Sequence, residues 1–89
     1  MKDLLIELDS RMKMPLYEQI CRFIKEEIRT GKIAPGEKLP SSRALAAQLS
    51  VSRSTVDLAY GQLTSEGYLD SVPWKGYFAG NVRELYQLG

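Results

Sequence analysis

The stretch "LPSSRALAAQLSVSRSTVDLAYGQL", from Leu39 to Leu63, decides the fold. It holds two short apolar periodicities back to back, and each begins with small hydroxyl residues followed by an arginine. The first predicts a helix of about two and a half turns, and the second has apolar residues at i, i+3, i+4 and i+7. The two buried stripes are Leu45, Ala46 and Leu49, and then Val56, Ala59, Tyr60 and Leu63.

Serine residues mark the beginning of both helices. Ser41 and Ser52 are typical N-caps, because a serine oxygen can accept a hydrogen bond from a free amide of the first helical turn. Pro40 stops the earlier helix from extending backwards. Two short helices joined by about three residues indicate a helix-turn-helix, in which the second helix can enter a groove of DNA.

Further elements flank this pair. An amphipathic helix is predicted from Pro15 to a left-handed end at Gly31, followed by a type II turn at Pro35 and Gly36. Alternation of Leu4, Ile6 and Leu8 with Glu7 and Asp9 predicts a short N-terminal strand. Residues 68–72 and 77–79 read as two strands around "PWKG", a hairpin that forms the wing.

The predicted fold class is therefore mainly α with a small β-sheet: a winged helix-turn-helix of three helices, a C-terminal β-hairpin wing and a short N-terminal strand. The N-terminal strand is a candidate to complete a small sheet with the wing, a pairing that the sequence alone does not establish. Residues 1–14 are interpreted as the strand and lead-in, residues 15–80 as the DNA-binding domain, and residues 81–89 as a tail or the start of a linker.

Composition excludes several classes of function. The chain has 89 residues and a net charge of +1, which suits one domain that binds nucleic acid only through a local patch. With one cysteine, Cys21, and no histidine, neither a disulfide nor a zinc site is expected, and no catalytic motif is present. No signal peptide or membrane span is recognised, so we expect a cytoplasmic protein that is not an enzyme.

The candidate DNA contacts lie at the helix N-termini and on the wing. Arg53 can give bidentate hydrogen bonds to guanine, and free amides at a capped helix N-terminus suit phosphate. At the tip of the wing, Lys75 is expected to reach a phosphate or the minor groove, and Gly76 allows close approach. The full set is Ser41, Ser42, Arg43, Ser52, Arg53, Ser54, Thr55, Lys75 and Gly76, and the predicted partner is double-stranded DNA.

Some positions admit two interpretations. Trp74 and Tyr77 can stack on a base or sugar, but packing against the helix beneath them is favoured. One interpretation of Gly61, which costs about 1 kcal/mol inside a helix, is the close approach of a neighbouring element. For the whole domain, the alternative to DNA binding is a winged helix that docks on another polypeptide.

The sequence resembles the GntR family of bacterial winged-helix regulators. The family pattern is met by Gly31, Pro35, Gly36, Leu39, Pro40, Ser41, Arg43, Leu45, Ala46, Leu49, Val51, Ser52, Arg53, Thr55, Val56, Ala59, Leu63 and Gly67. The resemblance implies that Arg43, Ser52, Arg53 and Thr55 contact DNA and that Gly76 is the second wing glycine. Two residues depart from the pattern: Asp57 stands where many members carry a basic residue, and Trp74 replaces the first wing glycine.

"PLYEQI", "LPSSRALA", "AYGQL" and "EGYL" are similar to the MocR branch of the family and, second, to the YtrA branch. MocR proteins join this domain to a larger one that resembles a pyridoxal-phosphate aminotransferase. The resemblance thus implies no cofactor in this chain, and pyridoxal phosphate only in a further C-terminal domain. It also implies a homodimeric full-length regulator, whereas the isolated domain is compatible with a monomer.

Overall fold

The computed structural model of the protein describes residues 6–81 and contains three helices followed by a two-stranded antiparallel sheet, which confirms the predicted fold class. The tail beyond Asn81 lies outside the described residues. The elements are α1 (Leu16–Arg29), α2 (Ser42–Leu49), α3 (Arg53–Ser65), β1 (Leu69–Val72) and β2 (Gly76–Ala79). Leu69 pairs with Ala79 and Val72 with Gly76, so the two strands form the predicted hairpin.

The core lies between the three helices and the base of the hairpin. Helix α3 packs against both α1 and α2, because its apolar stripe is fully buried as predicted. The buried apolar residues are Ile20, Cys21, Ile24, Ile28, Ile33, Leu39, Leu45, Ala46, Val56, Ala59, Tyr60, Leu63, Leu69 and Ala79. Among residues 6–81, the helices are too short or too polar to cross a membrane.

Both predicted serine caps are present. The Ala44 amide donates to Ser41 Oγ at 3.1 Å, and the Thr55 amide donates to Ser52 Oγ at 3.2 Å. Between the two helices, Ser50 adopts a left-handed conformation with φ of 57°. The chain therefore reverses within three residues, which places the N-terminus of α3 close behind the end of α2.

The predicted N-terminal strand is wrong for the part that the structure describes, and Leu4 lies outside it. Residues 6–9 have no regular structure. The side-chain amide of Gln19 holds this segment instead: it accepts from the Asp9 amide and donates to the Asp9 carbonyl oxygen, both at 2.9 Å. Ile6 and Leu8 pack against the core from this position, so their alternation reflects docking on the core and not pairing in a sheet.

The segment that precedes α2 pairs with the wing in place of the N-terminus. The Leu39 amide donates to the Tyr77 carbonyl at 2.9 Å, and the Ala79 amide donates to the Glu37 carbonyl at 2.8 Å. Lys38 forms an isolated bridge with Phe78 between these bonds. The hairpin is thereby attached to the residues that lead into α2.

Candidate nucleic-acid interface

Three hydroxyl groups cluster at the N-terminus of α3. Ser52 Oγ lies 2.8 Å from Thr55 Oγ1 and 3.1 Å from Ser54 Oγ. Ser52 and Ser54 are exposed and Thr55 is half-buried, as expected for side chains on the outer face of the first turn. Because the cluster sits where helix amides are free, it offers hydrogen-bond donors to an anion such as a phosphate.

Arg53 extends from the same turn into solvent. Its side chain is 59% exposed, and its Nε lies 3.8 Å from Oδ2 of Asp57 one turn later. At that distance the two groups form an ion pair without a hydrogen bond, so the donors of the guanidinium remain available. Sequence reasoning had identified Asp57 only as a departure from the family pattern, and the structure adds that it faces Arg53.

The candidates in α2 behave in two ways. Arg43 is exposed in the first turn, and no carboxylate of residues 6–81 forms an ion pair with it. Ser41 is exposed and caps the helix. Ser42, however, is only 6% exposed, so it offers little surface in the free chain, and its role as a DNA contact stays a prediction.

The wing carries exposed cations on both sides of Gly76. Lys75 is exposed at the tip, and Gly76 has a φ of 119° that favours glycine. Lys38 lies alongside, with its Cε 3.4 Å from the place where a Cβ at position 76 would sit. Sequence reasoning missed Lys38, because its proximity to the wing depends on the long-range pairing of residues 37–39 with β2.

The packing favoured for the two wing aromatics is confirmed for one and wrong for the other. Tyr77 packs edge-on against Tyr60 with ring centroids 4.7 Å apart. Trp74 is 104% exposed and extends into solvent. Its backbone has a φ of 67°, a left-handed conformation that directs the side chain away from the helices.

Arg43, the start of α3 and the wing tip emerge at one end of the molecule. The segment 37–39 runs antiparallel to β2, so the chain that continues to Arg43 and the hairpin that continues to Lys75 proceed in the same direction. Strand β1 runs back along α3 from the Tyr68–Leu63 hydrogen bond to the level of Tyr60 and Tyr77. The N-terminus of α3 therefore lies toward the tip of the hairpin. We call this end of the molecule, which carries the exposed candidate contacts, the candidate face.

A shallow groove continues this face along α3. It is lined by Tyr17, Ser54, Asp57, Leu58, Gly61, Gln62 and Ser65. Apart from its chain neighbours and the backbone of its own helix, no described atom lies within 4 Å of the position that a Cβ on Gly61 would occupy. The interpretation that Gly61 admits a close neighbour is therefore wrong within the described part of the chain.

Cys21 lies in the core and does not belong to this face. It is buried between α1 and α3, and its Sγ donates to the Ala59 carbonyl oxygen at 3.4 Å. Burial raises the pKa of the thiol from 9.0 to about 11. Because a neutral thiol is a poor nucleophile, Cys21 serves to fill space between the two helices.

Comparison with known families assigns the fold. The model of the bacterial regulatory proteins of the gntR family matches residues 16–78, most of the described chain. The chain belongs to the GntR family. It carries the winged helix-turn-helix of this family, and the resemblance inferred from the sequence is confirmed at that level.

Several relatives are similar over most of this chain. The HTH-type transcriptional regulator YhdI of Bacillus subtilis is 49% identical over 75 residues, which is 84% of this chain and 16% of YhdI. The HTH-type transcriptional repressor YtrA of the same organism is 38% identical over 80 residues, or 89% of this chain and 62% of YtrA. The chain thus spans about one sixth of the length of YhdI.

Solved structures of similar proteins have the same fold. YtrA from Sulfolobus acidocaldarius, a GntR-family transcription factor, superposes with a TM-score of 0.81 at 37% identity, covering 94% of this chain and 90% of that one. The DNA-binding domain of AraR in complex with operator ORX1 superposes with a TM-score of 0.76 at 34% identity, covering 90% and 100%.

Proposed function

We propose that this chain is the DNA-binding domain of a bacterial transcriptional regulator, with α3 in the major groove and the wing beside the minor groove. The observation that carries the proposal is that Arg43, Arg53 and the hydroxyl cluster of Ser52, Ser54 and Thr55 lie toward the same end of the molecule. A helix with its side chains is about 10–12 Å across, which matches a major groove about 12 Å wide. The AraR domain bound to its operator supports the proposal, because the two chains superpose over 90% of this one.

Within this face, we assign different roles to the two arginines. Arg53 lies on the first turn of α3, where a recognition helix meets base edges, so it is the candidate for reading guanine. Arg43 lies at the start of α2, at the side of that helix, and is the candidate for a phosphate contact. Ser41, Ser52, Lys75 and Lys38 would add phosphate contacts around them.

Titration of a labelled duplex at several salt concentrations tests these roles. The duplex is one selected by the wild-type chain from a randomised pool, and binding is followed by fluorescence anisotropy. Arg53→Ala is expected to weaken the selected duplex by about 1–3 kcal/mol and to relax the preference at one position. Arg43→Ala is expected to weaken all duplexes alike and to reduce the salt slope by about 1.

The matched control is Lys32→Ala. Lys32 is an exposed cation beyond the end of α1. Its neighbours Gly31 and Ala34 line a cleft together with Gly80, at the base of the hairpin. Its removal makes the same change in net charge and should leave sequence preference unchanged. Equal losses for Arg53→Ala and Lys32→Ala, or a wild-type chain with no salt dependence, would contradict the proposal.

Docking on another polypeptide is the less favoured function, since the structural neighbours include operator complexes and the exposed groups of this face are donors suited to phosphate. We propose no catalytic role, because the relatives named above are regulators. As a regulator of bacterial transcription, the protein would act in the cytoplasm.

We further propose that the chain belongs to a long, dimeric regulator of the MocR type. YhdI supports this, because it is the more similar of the two named relatives and this chain covers only 16% of it, whereas YtrA is a shorter protein. Two copies would read half-sites about one helical turn of DNA, or a multiple of it, apart. The reading frame after codon 89 tests the branch: an aminotransferase-like continuation supports MocR, and a short one supports YtrA.

A further inference from the structure

Trp74 occupies a backbone conformation that its side chain disfavours. The Lys75 amide donates to the Val72 carbonyl at 3.1 Å and closes a turn with Pro73 and Trp74 at its centre. With proline at the second position and φ of 67° at the third, the turn is of type II, whose third position prefers glycine or asparagine. A bulky side chain at this position is disfavoured because its Cβ crowds the backbone.

Nothing in the described fold offsets this cost. Trp74 is as exposed as in an extended peptide, so its indole makes no packing contribution to stability. A glycine at this position would relax the turn and remove an exposed apolar surface. The residue is therefore explained by a contact that lies outside the described part of the chain.

The surroundings of Trp74 favour DNA as the partner. Lys75 follows it directly, and Lys38 lies beside Gly76 two positions later. The tip also emerges at the same end of the molecule as Arg43 and Arg53. An indole flanked by cations suits a base or deoxyribose with its phosphates, because the ring stacks on the apolar surface while the lysines neutralise charge.

We propose that Trp74 is a DNA contact, which places its indole against the sugars and base edges of the minor groove next to the site read by α3. This inference rests on the proposed DNA binding and adds a residue to it. Here an aromatic ring takes the place of the first glycine of the family's wing, so the wing contributes affinity through apolar contact with the sugars and base edges as well as through charge.

Tryptophan fluorescence can test the proposal without a label on the protein, since Trp74 is the single tryptophan of the chain. Excitation at the red edge of the absorption band avoids the tyrosines and reports on the wing tip alone. Addition of the selected duplex is expected to quench or blue-shift the emission, with a titration curve that coincides with the anisotropy of labelled DNA. The emission of the free chain should not change with protein concentration.

Variants at this position separate the ring from the backbone. Trp74→Gly and Trp74→Asn both accept a left-handed conformation but lack the indole, and each should weaken duplex binding about tenfold. Neither should lower the urea midpoint of unfolding, and Trp74→Gly should raise it. Trp74→Phe keeps an aromatic ring and should retain most of the affinity.

The outcomes distinguish this inference from the proposed function. If Arg53→Ala weakens binding while the emission stays unchanged and Trp74→Asn binds normally, the wing contact is overturned and DNA recognition by α3 stands. If the wild-type chain binds no duplex, both fall. A concentration-dependent shift in emission without DNA would assign the indole to contact with a second copy and overturn the proposal.

Discussion

The Tyr60 hydroxyl group donates a hydrogen bond of 2.7 Å to the carbonyl oxygen of Pro40. This bond joins the middle of α3 to the residue that precedes the cap of α2. Since the Tyr60 ring also contacts Tyr77 in β2, one buried side chain fixes both helices and the wing relative to one another. Burial raises the pKa of Tyr60, so the hydroxyl remains a donor at all ordinary pH values.

Tyr60→Phe is expected to destabilise the domain by about 1–3 kcal/mol, because the buried Pro40 carbonyl loses its side-chain donor while the ring packing is kept. Urea unfolding measures the change. DNA affinity should also fall at temperatures where the variant remains folded, because Arg43 is less firmly placed. The comparison is Tyr17→Phe, whose half-buried hydroxyl lies at 3.5 Å from Glu18 and should have little effect on stability.

Asp57→Asn is expected to increase affinity for duplexes of any sequence about three- to tenfold at low salt. The change removes a negative charge from the face that would meet the phosphates and releases Arg53 from its ion pair. Anisotropy titrations at two salt concentrations check this, and the gain should shrink at the higher one. Glu27→Gln makes the same charge change at the far end of α1, and an equal gain there would argue against a local effect.

Gly61→Ala is expected to stabilise the domain by about 1 kcal/mol. The position is helical and exposed, and a methyl group there meets open space. Thermal or urea unfolding gives the value. A loss of stability would mean that the groove beside α3 is narrower than described.

Gly80→Ala should act in the opposite direction. A Cβ at this position would lie 2.7 Å from the Gly67 carbonyl oxygen, a backbone atom that cannot rotate away. The Gly80 amide also donates to the Tyr68 carbonyl at 2.8 Å, which ties the end of β2 to the turn after α3. We expect a loss of about 1–3 kcal/mol in the free energy of unfolding, and an unchanged value would contradict the close approach.

The Cys21 thiol should make stability fall at alkaline pH. Its pKa is raised by burial from 9.0 to about 11, so the folded state holds the proton more firmly than the unfolded state. The resulting stabilisation is complete below about pH 9 and is lost as the pH rises toward 11. Unfolding curves of the wild type and Cys21→Ala across this range check it: the wild type should decline more steeply, and parallel curves would be the contrary result.

The sequence predicted the elements whose signals are local. Apolar residues such as Val56 and Leu63 recur at the helical period, and serine caps such as Ser52 bond to an amide three residues later. Both signals depend only on nearby residues, so the tertiary fold does not alter them. The alternation of Ile6 and Leu8 failed because two or three apolar residues do not distinguish a strand from a segment docked on a helix. The segment is held instead by the side-chain amide of Gln19, which is ten residues from Asp9 in the sequence, and no sequence pattern predicts such a contact.

In the candidate site, the sequence predicts exposure only for side chains whose direction is set by local helix geometry. Arg53 follows its cap directly, so its outward direction is set by helix geometry. The burial of Ser42 was not predicted, because in a short helix a single position along the chain separates the exposed side from the buried side. The exposure of Trp74 and the position of Lys38 follow from the turn at 72–75 and from pairing with β2, which depend on the path of the whole chain.

The hydrogen bonds that join residues 37–39 to β2 have a further meaning for the duplex. These bonds help to fix the distance between the wing and α3. The protein can therefore change this distance only a little when α3 and the wing contact the two grooves together. The duplex has to deform to match the protein, by changes in its local twist and in the width of its narrower groove. Base pairs that no side chain touches should therefore still be selected, because some steps bend at a smaller energetic cost than others.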